Sequence, residues 1–84
     1  MKLYAILKPE IDGNFLFVEK CSINKETVKK ELNEIISIES KGLSYIALAE
    51  FNINTDLCDL TKDYIILEEY LPQFGSYGKW IKKL

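Results

Sequence analysis

In the stretch EFNINTDLCDLTKDY, Asn52, Asn54, Asp56 and Asp63 fall at the first, third, fifth and twelfth positions of a helix-loop-helix calcium loop. The chemistry fails at the positions that matter most. The sixth needs glycine for a sharp turn and holds Leu57, the twelfth needs a bidentate glutamate and holds Asp63, and the flanks read as strands. No metal is therefore expected. The same stretch is the acidic part of the chain. From Glu50 to Glu69 it carries Glu50, Asp56, Asp59, Asp63, Glu68 and Glu69 against Lys62, a local charge of −5 in a protein of −2 overall. Such a loop can be simply well solvated and turn-forming. With Tyr64 and Tyr70 beside it, it can also be a surface shaped for a basic protein groove, where charge speeds docking.

Other chemistry is excluded more firmly. The chain has no histidine, so neither Cys21 nor Cys58 has an imidazole to activate it, and imidazole metal sites are ruled out. Both cysteines are expected as small core residues, too few for a disulfide framework. Glu68 and Glu69 are adjacent on an expected strand, so they point to opposite faces and cannot form an acid/base pair. GSYGKW has two residues between its glycines and Trp80 after Lys79, so it is not a phosphate loop. All eleven basic residues are lysine, and without arginine the usual reader of guanine edges is missing. FGSYGKWIKK does interleave Phe74, Tyr77 and Trp80 with Lys79, Lys82 and Lys83, as single-strand nucleic-acid binders do. The acidic stretch nearby argues against direct nucleic-acid binding. Nothing indicates an enzyme or a cofactor.

The elements that must position these residues read as one domain over residues 1–84. A chain of this size has an expected stability of about 4–12 kcal/mol. KLYAILK and NFLFVEKC flank IDGN, the pattern of a hairpin whose first strand is an edge or stops at Pro9. Asn24 suits a helix N-cap, Ile23 with Val28 suits a hydrophobic staple, and Val28, Leu32, Ile35 and Ile36 make an apolar stripe before a stop at Gly42. Leu43–Ile53 and Asp63–Leu71 read as third and fourth strands, the latter ended by Pro72. A closing helix after Ser76 would present Trp80, Ile81 and Leu84. The expected class is α+β: a mostly antiparallel four-stranded sheet with one helix packed on it, in the order β-β-α-β-β.

The strands are apolar on both sides. Leu43, Tyr45, Ala47, Ala49 and Phe51 share one face and Ile46 and Leu48 the other, while Ile65, Leu67 and Leu71 oppose Tyr64, Ile66 and Tyr70. One helix covers one face. The second is left to the Trp80 segment folding back, to another copy, or to a partner. No stretch approaches a membrane span, and the setting expected for two reduced thiols is the cytoplasm.

These features lead to a small non-enzymatic module that binds a protein with a basic surface through Asp56, Asp59, Asp63, Tyr64, Glu68, Glu69 and Tyr70. In its narrower form it is an anti-CRISPR-like inhibitor from a phage or other mobile element, occupying the basic nucleic-acid-binding groove of a host protein. Two alternatives stay open: a homodimeric structural or regulatory module, and a weak single-strand binder using the C-terminal segment.

Overall fold

The computed structural model describes residues 1–9, 16–52, 64–75 and 77–84. They form β1 (Lys2–Pro9), β2 (Leu16–Ser22), α1 (Lys25–Ile36), β3 (Ile46–Asn52), β4 (Tyr64–Phe74) and β5 (Tyr77–Lys82). The strands make one antiparallel sheet in the order β2-β1-β3-β4-β5, and α1 lies on one side of it. The class is α+β, with five strands rather than four.

α1 starts where its chemistry dictates. Asn24 has extended backbone angles, and its side-chain oxygen accepts from the Glu26 N–H at 3.0 Å. The expected staple is not closed, because Ile23 is 66% exposed. The helix stops at Ile36, earlier than the Gly42 signal, since Ser37 caps it by donating its N–H to the Asn33 carbonyl. Lys41 and Gly42 then turn the chain with positive φ.

The helix-side core is Ile6, Val28, Leu32, Ile46, Leu48 and Tyr70, with Tyr4, Ile35, Ile36, Leu67 and Trp80 packed against it. The opposite face is a second cluster of Ala5, Leu7, Ala47, Ala49 and Phe51, joined by Leu3, Tyr45, Tyr64 and Ile66. Residues paired directly across two strands share a face. Ile46 and Leu48 thus divide from Ala47, Ala49 and Phe51 as the alternation requires.

Four expectations are corrected. The C-terminal segment is β5, not a helix. Gly75 at φ +60° turns the chain back, and Gly78 at φ +92° lies outside helical geometry, so the backbone is satisfied by pairing with β4. Pro72 does not end β4. The Lys83 N–H donates to the Glu69 carbonyl, so by alternation Leu71 and Ile81 face each other's ladder and Pro72 turns its nitrogen toward the β3 side. There the β3 pairing begins only at Ile46 opposite Tyr70, so no ladder bond is lost. Tyr70 does not share a face with Tyr64 and Ile66. Leu48 pairs with Glu68 but Ala49 with Ile66, leaving Leu67 as the extra residue of a bulge that reverses the phase. Cys21 is exposed on β2 opposite Ala5 rather than buried; Cys58 lies outside the described residues.

The first strand is not an edge. β1 lies between β2 and β3 and stops at Pro9, and the IDGN turn lies outside the described residues. Trp80 does not fold over the second face either. It sits opposite Pro72 and packs into the helix-side core. No helix of the described residues is long and apolar enough to cross a membrane.

Candidate functional site

The bulge in β4 decides what Glu68, Glu69 and Tyr70 can do. Glu68 pairs with Leu48 and faces α1, where its carboxylate accepts from Lys29 of the helix and from the Tyr70 hydroxyl at 2.6 Å. Lys82 of β5 stands 3.6 Å away. Burial alone would raise the Glu68 pKa, but the hydrogen bonds from Lys29 and Tyr70 and the charges of Lys29 and Lys82 outweigh it and hold the group below the usual carboxylate range. Burial, the bond to Glu68 and its charge push the Tyr70 phenol up to about 12. This cluster joins α1, β4 and β5 through one carboxylate. It is a charged strut.

Glu69 pairs with Ala47 and faces the other way. It accepts from the Tyr45 hydroxyl at 2.8 Å, and burial together with this bond raises the Tyr45 pKa. Tyr64, half-buried, tilts against Phe51 with ring centroids 5.2 Å apart. The described members of the expected acidic surface are thus divided between two faces: Glu68 and Tyr70 on the helix side, Glu69 and Tyr64 on the other. Asp56, Asp59 and Asp63 lie outside the described residues.

The remaining strand carboxylates are also paired, Glu50 with Lys2 and Glu19 with Lys8, each at 3.5 Å. Among the described residues no group of three or more His, Cys, Asp or Glu is placed to hold a metal. An open cleft of about 250 Å³ lies past the end of α1, lined in part by Lys8, Ile35, Ile38, Ser40, Lys41 and Trp80. Small-molecule sites run from about 300 to 1,000 Å³. The Trp80 Nε1 next to it is buried and has no acceptor among the described residues, so it does not present its N–H to the cleft.

What the molecule does present is the end of the sheet. Phe74 and Tyr77 are each 68% exposed, Ile81 52% and Leu84 57%. β5 is the last strand, with no described strand beyond it. Lys79, Lys82 and Lys83 lie along it with no acidic residue between Tyr77 and Leu84. Sequence reasoning noticed the alternation of rings and lysines here. It missed the edge because a spacing of three and four residues from Tyr77 to Trp80, Ile81 and Leu84 also fits a helix. It missed Lys29 as the partner of Glu68 because 39 residues separate them.

Comparison with known family models, curated proteins and solved structures finds no match to this chain.

Proposed function

We propose that the protein is a non-enzymatic binding module that docks on another protein through the β4–β5 end of its sheet. The observation that carries this reading is the exposure of Phe74 at the end of β4, Tyr77 and Ile81 on β5 and Leu84 just past it, all at one end of the sheet. Large apolar side chains scattered singly on a surface need no explanation, whereas several gathered at one end of a sheet support an interaction surface there. The internal pairing of Glu68 and Glu69 favours this edge over those two acids as the contact. The narrower reading, a mobile-element inhibitor occupying a basic groove, then depends on Asp56, Asp59 and Asp63.

The test is a pull-down from source-cell lysate, with and without nuclease, read by mass spectrometry. A stoichiometric protein that survives nuclease and is lost with Tyr77→Ser/Ile81→Ser supports the reading. Retention of nucleic acid alone, abolished by nuclease, overturns it in favour of single-strand binding. Changing Asp56, Asp59 and Asp63 to asparagine separates the inhibitor form, which requires weaker and less salt-dependent binding after the change.

A further inference from the structure

Resting on that reading, we infer that β5 accepts an extended, acidic segment of the partner as an added strand, so that the partner completes the sheet by backbone pairing. Three observations lead there. The first is the free ladder. The Lys83 N–H is used on Glu69 of β4, so alternation turns the backbone groups of Gly78, Trp80 and Lys82 outward; the Gly78 carbonyl is taken by the Ser40 N–H at 3.0 Å, and Trp80 and Lys82 have no described strand beside them. A row of unpaired groups of this kind is a template for another strand.

The second is charge. β5 and its two following residues carry Lys79, Lys82 and Lys83 and no acid. Lys82 is partly engaged by Glu68 at 3.6 Å, whereas among the described residues Lys79 and Lys83 have no carboxylate within ion-pair distance. Exposed lysines on an edge deter strands that carry no compensating charge, and a strand bearing glutamate or aspartate at alternate positions removes that deterrent.

The third disfavours β5 of a second copy as the occupant. Antiparallel pairing of β5 with another β5, centred anywhere from Lys79 to Ile81, sets Lys79 directly opposite or diagonal to a lysine of the second copy. Diagonal neighbours are about 7–8 Å apart, within reach of long side chains of like charge. Nucleic acid is also disfavoured. Trp80, the ring placed among the lysines, is partly buried against the core, which leaves Phe74 and Tyr77 at the hairpin end as the exposed rings.

The test titrates the isotope-labelled full chain with a short blocked peptide alternating glutamate and valine. Amide shifts report on each backbone position, and the single tryptophan, Trp80, gives a fluorescence signal from the strand itself. The expected result is saturable movement of the Trp80 and Lys82 amides. The same peptide with lysine for glutamate binds at least roughly tenfold more weakly, and so does the acidic peptide with Lys79→Glu/Lys83→Glu, a change that leaves the Glu68 cluster intact. N-methylation along the peptide's pairing side abolishes the shifts. Absence of saturable shifts at Trp80 and Lys82, equal binding of the lysine peptide, or displacement of the peptide by oligothymidylate overturns the inference. So does a concentration-dependent dimer that itself protects those amides. Capture of the same lysate protein equally by wild type and Lys79→Glu/Lys83→Glu keeps the binding-module reading and removes only this assignment.

Discussion

Glu68→Gln isolates the charge of the strut that ties α1 to the sheet. Glutamine keeps the shape and can still accept a hydrogen bond, but it no longer strengthens the bonds from Lys29 and Tyr70 or offsets Lys82 at 3.6 Å. Hydrogen bonds to a charged group contribute about 1.5–3 kcal/mol against about 0.5–1.5 for neutral ones. Two bonds are weakened, and Lys29, 29% exposed, recovers part of the loss from water. The net cost is about 2 kcal/mol, a fall in Tm of roughly 8–16 °C for a domain of this size. The pH dependence carries the sign. Because the folded Glu68 pKa is lowered, its contribution is present above the ordinary glutamate value of about 4.3 and is lost as pH falls through the folded value. Urea denaturation of both proteins from neutral to acid pH should show the gap at neutrality closing on acidification. A variant within about 0.5 kcal/mol of wild type at neutral pH, or a gap that persists in acid, refutes the assignment of the strut. The paired change Lys29→Met/Glu68→Leu should cost less than the sum of its singles, since it leaves no uncompensated buried charge.

Leu32→Ala empties a fully buried position under the sheet and should cost about 2–5 kcal/mol by denaturation, a large share of the whole stability. Gly78→Ala places a Cβ 3.1 Å from the Phe74 ring at φ +92° and should cost about 1–3 kcal/mol, with the loss seen first in amide exchange of β5. Tyr70→Phe should flatten the alkaline side of the stability profile. In the wild type the folded phenol holds its proton up to about 12, so stability falls as pH rises from the ordinary value of about 10, and the phenylalanine variant lacks that part of the descent.

Much of the fold was legible because its signals are local. Asn24 fixes the helix start by capping, and Val28 and Leu32 lie on one face whatever the tertiary structure. Apolar runs from Leu3 to Leu7 and from Ile46 to Ala49 mark strands hydrophobic on both sides, and all but Leu3 and Tyr4 are buried. The rest depends on pairing partners. The bulge at Leu67 changes which face Tyr70 occupies, and nothing in DYIILEEYL signals it, because a bulge is defined by the strand opposite. YGKWIK is compatible with helix or strand, and its pairing with β4 is what selects the strand. For the candidate site the acids of β4 were legible as charges but their engagement was not. Glu68 meets Lys29 and Glu69 meets Tyr45 only after the sheet is assembled.

Hydrogen exchange of the full chain, free and bound to the protein captured from lysate, tests the edge-docking claim most directly. Added-strand pairing should slow exchange of the Trp80 and Lys82 amides by at least the tenfold that about 1.4 kcal/mol of local protection represents, with little change on β2 at the far side of the sheet. Unchanged exchange from Tyr77 to Leu84, with protection confined to residues 53–63, would contradict it and return the contact to Asp56, Asp59 and Asp63.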